Sequence, residues 1–224
     1  MSTKRPLTEI ITRLICFSVG TAIIAAGGSI YFLSNTGADP FNVFAQGVAR
    51  LCGISNGISC MGINILYLIV ILITARSYAR IGTFAAIVIC GPMIDVFSAL
   101  FAPVIDSDGA LWIRLLFMLA GTVILSFGLA LVMNADAGVA PNDLASMILS
   151  DRTHIAFRWV RITVDVTLTL LGFLLGGVVG VGTIAGAFLT GPIAQFFSPF
   201  HKRLVNRLVR WSTDLFKSQK EASR

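Results

Sequence analysis

Between Leu14 and Ala38 the chain runs for 25 residues without a charged side chain. An α-helix needs about 20 apolar residues to cross a hydrocarbon core about 30 Å thick. Comparable stretches recur, and the candidate spans fall near 14–34, 58–75, 81–104, 111–133, 160–178 and 182–200. Of the 224 residues 56% are hydrophobic and 12% charged, against about 25% charged in a soluble domain. So little polar surface cannot cover a soluble core. A cytosolic enzyme, a nucleic-acid binder and a secreted disulfide scaffold are thereby excluded. The expected class is an all-α polytopic membrane protein in a lipid bilayer. The first apolar run exceeds a signal peptide's apolar region of about 7–15 residues and lacks an A-x-A-like cleavage site, so it reads as a retained helix.

The chain is one unit written twice. Arg13, Gly20, Thr21, Gly27, Gly37 and Pro40 recur as Arg114, Gly121, Thr122, Gly128, Gly138 and Pro141, at a constant offset of 101. Further on the offset is 100, where Gly82-Thr83, Ala85, Gly91-Pro92 and Phe97-Ser98 recur as Gly182-Thr183, Ala185, Gly191-Pro192 and Phe197-Ser198. Shared apolar composition would scatter Leu, Ile and Val matches; it would not align Gly, Pro and Thr in order. The first copy covers 10–105 and the second 111–200, with a basic tail over 201–224.

Each copy holds three long spans and one short element, 41–50 or 142–150, following Gly-x-x-Pro. At 1.5 Å per residue, about ten residues cover half a membrane, so both short elements read as re-entrant or interfacial half-helices with Pro near the start. An odd number of spans per copy implies about six transmembrane helices in two inverted-topology repeats. The charges agree. Arg76 and Arg80 follow the second span of copy one, while Gly176 to Val181 of copy two is neutral. Arg152, Arg158 and Arg161 precede the second span of copy two, while Leu51 to Cys60 of copy one is neutral. With both termini cytoplasmic, every basic loop falls inside and Asp106 and Asp108 fall outside. The net charge of +6 therefore reflects topology rather than nucleic acid.

The tail reads as a basic amphipathic helix on the inner leaflet. Phe200, Leu204, Leu208, Trp211 and Leu215 recur at helical spacing among Lys202, Arg203, Arg207, Arg210 and Lys217. Anionic lipid headgroups are its expected partner, and a cytoplasmic protein the alternative. His154 and His201 are expected to face headgroups. Cys16, Cys52, Cys60 and Cys90 form no C-x-x-C pattern and have no partner histidines, so neither a metal nor a cofactor is expected.

Thr36-Gly-Ala-Asp-Pro40, Ile81-Gly-Thr83 and Gly91-Pro-Met-Ile-Asp95, with their counterparts Ala137-Gly-Val-Ala-Pro-Asn-Asp143, Gly180-Val-Gly-Thr183 and Gly191-Pro192, resemble the bacterial YczE/YitT group of small multi-span membrane proteins. The resemblance spans about residues 10–200 and omits the tail. It implies a bacterial inner-membrane protein and carries no reaction or substrate.

Inverted repeats with short, Gly/Pro-interrupted segments at matching positions are a recurrent design of secondary transporters, because a broken helix exposes polar backbone at membrane depth. The breaks are Gly37, Pro40, Gly138 and Pro141. Asn42 and Asp143 are equivalent, as are Asn64 and Asp165. These four residues and Asp95 are the candidate substrate- or ion-binding set. The three acidic ones have plainer roles: Asp143 as a helix cap, Asp165 as the partner of Arg161 four residues earlier, and Asp95 as a hydrogen-bonded tie between helices. No catalytic set of nucleophile, acid and base appears, so no enzyme is expected. The function expected is transport of a small solute or ion from a site between the repeats. The rivals are a ligand-capturing subunit of a larger transporter and a regulatory or assembly protein acting through its tail.

Overall fold

The computed structural model describes residues 6–222, with side chains as far as Asp214. Lys4, Arg5, Leu215 and Lys217 lie outside what is described at side-chain level. The described elements are α1 (Leu7–Ser34), α2 (Pro40–Cys52), α3 (Asn56–Thr74), a 3-10 turn (Arg76–Tyr78), α4 (Ile81–Phe101), α5 (Leu111–Ala135), α6 (Pro141–Thr153), α7 (Phe157–Leu174) and α8 (Val181–Ala222). The chain is an all-helical membrane protein. Five described helices are long and apolar enough to cross a bilayer: α1, α3, α4, α5 and Val181–Asp214 of α8. The stretch expected to span over 160–178 behaves differently. Its helix, α7, has 18 residues and stops at Leu174, and Arg158, Arg161 and Asp165 interrupt its apolar character.

The centre of the molecule is the antiparallel pair α1 and α5, the same segment in both copies. A Cβ on Gly20 would meet the Gly128 carbonyl oxygen at 3.1 Å, and one on Gly27 the Gly121 carbonyl oxygen at 2.7 Å. Small residues here let two backbones approach where lipid offers no hydrophobic drive. Two further contacts are exchanged between the copies. Arg13 donates to Ala135 O at 3.1 Å, and its counterpart Arg114 donates to Ser34 O at 2.8 Å, so each arginine closes the carboxyl end of the opposite helix. Gly182 N donates to Thr36 O at 2.9 Å, and Gly82 N to Ala137 O at 3.2 Å. Thr183 and Thr83 accept from Gly180 N and Arg80 N respectively.

One end of the bundle gathers the basic segments. Arg13 and Arg80 meet the end of α5, where Arg80 pairs with Asp136 at 3.3 Å. Tyr78 donates to Asp151 at 2.8 Å, and Arg152 reaches Thr74 O.

Residues 201–214 do not form a separate element: α8 continues through them without a break. The tail also buries a face that the Phe200–Leu204–Trp211 stripe does not disclose. Val205, with Leu208 and Val209, packs on Cys16 and Phe17 of α1, and Thr12 donates to Ser212 at 2.9 Å. His201, expected at the headgroups, is fully buried against Phe127 and Phe197. The burial has a simple cause: α5 covers 201 through Phe127, and α1 lies along 205, 208 and 212, which leaves Phe200 and Trp211 exposed.

Candidate functional site

The two short helices begin alike, at Pro40 and Pro141, and each has 13 residues. Both are set by the loop before them. Gly37, at φ +104, lies against Gly180 and Thr183, and Gly138 lies against Gly82 and Thr83. Their caps differ. Asp39 caps α2, accepting from Asn42 N at 3.3 Å and from the Asn42 side-chain amide at 2.6 Å. The equivalent residue before α6 is Ala140, which has no side chain to cap with. Asp143 thus stays in the first turn of α6 with its carboxylate free to look outward, where it takes the guanidinium of Arg161.

Around these starts each copy builds a triad from the same three positions. In copy one Asn42 Oδ1 receives the Cys60 thiol at 3.8 Å, and the Cys60 carbonyl accepts the Asn64 amide at 3.0 Å. Asn42 and Asn64 are both buried. In copy two Arg161 bridges Asp143 and Asp165, donating through Nε to Asp165 at 3.0 Å. The offset of 101 that relates Asn42 to Asp143 and Asn64 to Asp165 also relates Cys60 to Arg161. The four expected residues are therefore brought together in two equivalent clusters, one neutral and one charged. The Arg161–Asp165 pair expected from their spacing is present, and Asp143 completes it. The charged triad is open, its side chains about a third exposed.

Asp39 links the clusters. Burial pushes its carboxyl up from the ordinary carboxylate range; the two bonds from Asn42 and the charge of Arg161 pull it down, and Asp165 pushes it up again. Asp39 is thus bonded into the neutral triad and within electrostatic reach of the charged one. Two carboxylates, Asp143 and Asp165, share one guanidinium, and Asp39 feels its charge. The Asn64 Oδ1 is buried with no hydrogen-bond partner.

Asp95 takes the helix-tying role. Its carboxylate accepts from Ser55 Oγ at 2.6 Å and from Gly57 N at 2.9 Å, so it holds the amino end of α3, where a negative charge is favoured. Its hydrogen bonds reach neither triad. Asp39, Cys60 and Arg161 went unremarked as site residues in the sequence. An acidic residue directly before a helix-starting Pro, and the 101 offset carried through to 60 and 161, were the signals for them.

Residues 11–199 match a family of unknown function, DUF6198. The chain belongs to this family. It is 31% identical over 183 residues to an uncharacterized protein of Haemophilus influenzae, with 82% of each chain covered. It is 26% identical over 211 residues to the uncharacterized membrane protein YczE of Bacillus subtilis, covering 94% of this chain and 96% of that one. The YczE-like resemblance read from the paired Gly, Pro and Thr motifs is therefore sound. No solved structure matches the chain.

Proposed function

We propose that this member of the family is a secondary transporter of a small cationic solute or a cation, working from the inner membrane of a bacterium with both termini in the cytoplasm. The observation that carries this reading is the excess of carboxylates: Asp143 and Asp165 both pair with Arg161, and Asp39 lies within reach of the same charge. Like charges held close together favour uptake of a proton or a cation. Exchange of one for the other is the chemistry such a site can perform.

The antiparallel α1–α5 pair and its exchanged Arg and Gly contacts support two inverted three-span halves, with α7 as the sixth crossing. At 1.5 Å per residue its 18 residues reach about 27 Å, close to a bilayer core, with Arg161 neutralised by its acidic partners. The basic residues gathered at one end support that end as cytoplasmic. There Lys202, Arg203, Arg207 and Arg210 of α8 stay exposed beside Phe200 and Trp211, which suits contact with anionic headgroups.

The test is reconstitution in liposomes with an imposed pH gradient and an internal pH dye. Alkali-metal and quaternary or primary ammonium cations are added outside one at a time. A transported cation collapses the gradient, and Asp143→Asn or Asp39→Asn removes the response. If no cation moves protons, and none raises the unfolding temperature of the wild type above that of Asp143→Asn, the reading is wrong.

A further inference from the structure

The helices α4 and α8 are the same segment written twice, which allows the surroundings of each position to be compared directly. From 81/181 to 100/200 they are buried or exposed alike everywhere except at 87/187, 89/189, 91/191 and 95/195. Three of these four lie on one stripe at four-residue spacing. In α4 the stripe is Ile87, Gly91 and Asp95, and α3 covers it: a Cβ on Gly91 would meet the Gly57 carbonyl oxygen at 2.8 Å, and Asp95 holds the amino end of α3. In α8 the stripe is Ala187, Gly191 and Gln195, all exposed, and a Cβ on Gly191 would meet nothing within 4 Å.

The counterpart of α3 is α7, and its sequence bars it from this seat. Gly57, whose missing side chain lets α3 reach the Gly91 carbonyl, is replaced by Arg158, and Ser55 by Ala156. A β-carbon at position 57 would already overlap that carbonyl, so an arginine there cannot dock as α3 does. The bare stripe is therefore a property of the sequence and not of one arrangement of the halves.

We propose that a second copy of this chain fills the seat, with two α8 helices packing across a two-fold axis through Ala187, Gly191 and Gln195. Small residues four apart permit close helix approach in a membrane. Gln195 identifies the occupant. A carboxylate in this position, as in Asp95, needs a partner that only donates, which the amino end of α3 supplies. A carboxamide both donates and accepts, so two copies related by a two-fold axis satisfy each other. Among the described residues Gln195 makes no side-chain hydrogen bond. It lies 14 residues beyond Val181, about 21 Å along the helix, where lipid provides no partner.

The experiment measures the mass of the purified full chain by light scattering, in detergent and in lipid nanodiscs, across a hundredfold dilution series. Wild type is expected to run as a dimer. Gly191→Leu and Gln195→Leu are expected to weaken dimerisation at least tenfold while keeping the wild-type thermal transition, since a side chain at 191 touches nothing within the monomer. Gln195→Cys in membrane vesicles is expected to oxidise to a covalent dimer, whereas Val96→Cys, facing outward on α4, does not. A monomer at every concentration, a dimer indifferent to Gly191→Leu, or cross-linking of Gln195→Cys only to a different polypeptide would each overturn the proposal.

Discussion

The same three positions serve two chemistries in the two halves of the molecule. In copy one they are Asn42, Cys60 and Asn64, joined by weak neutral bonds in a closed setting. In copy two they are Asp143, Arg161 and Asp165, joined by ion pairs in an open one. The helices that carry them differ to match. The short helix α2 crosses α7 at backbone distance, where a Cβ on Gly47 would meet Gly172 O at 2.6 Å. At the equivalent crossing of α6 and α3 the same positions are Ile148 and Ile71, packed through their side chains with Leu144 and Ala75. The repeated frame carries a close-packed support in one half and a charged cleft in the other.

The largest effect should come from the close crossing. Gly172→Leu drives a side chain into Phe44 N, 2.6 Å from a Cβ there, and should abolish accumulation of folded protein in the membrane, read by fluorescence-detected chromatography. Ile71→Ala, at the looser crossing, should cost about 2–3 kcal/mol of stability by the usual cavity cost and leave a folded protein. Equal losses at the two would dissolve the distinction between the crossings.

Next, Arg161→Met leaves the carboxylates uncompensated and should cost about 2 kcal/mol, less than for a fully buried pair because the triad is partly exposed. Converting copy two to the chemistry of copy one, as Asp143→Asn with Arg161→Cys and Asp165→Asn, should recover stability to within about 1 kcal/mol of wild type, since the set is again neutral. It should also eliminate any cation response in liposomes. Survival of that response would remove the charged triad from the mechanism.

Cys60→Ala, which breaks only a weak thiol bond in the neutral half, should cost about 1 kcal/mol and leave function intact. The smallest effect concerns Asp39. Burial raises its carboxyl in the folded protein above the unfolded value. The native state therefore holds a proton that the unfolded chain releases, and this contribution to stability is present at low pH and lost as pH rises through the raised range. Asp39→Asn should flatten that fall, seen as thermal transitions in detergent at pH 4 to 8. An unchanged pH profile would place Asp39 outside the charged environment.

Much of the architecture was legible because it depends on properties that run along the chain. Hydropathy marks the helices, the Gly-x-x-Pro breaks mark α2 and α6, and the 101 offset pairs Asn42 with Asp143 and Asn64 with Asp165. What was hidden depends on the direction in which neighbours lie. The apolar residues of the tail suggested a lipid-facing stripe, yet the face with His201 and Val205 is the one that packs, because α5 and α1 lie there. Asp95 had the cost of an intramembrane carboxylate, and only the position of the α3 amino end explains how that cost is met. Asp39 reads as a loop residue, and only the fold sets its carboxylate on Asn42 within reach of the Arg161 charge.

Sequence alone therefore determined that this is a helical membrane protein of duplicated design, because apolar length and ordered Gly, Pro and Thr repeats survive without any knowledge of contacts. Tertiary structure alone decided which of these residues meet, so that Arg161 joins Asp143 to Asp165 and the amino end of α3 reaches Asp95. Those outcomes turn on whether a backbone can approach within a few ångströms. A glycine at 57 or an arginine at 158 settles that only once the partner helix is in place.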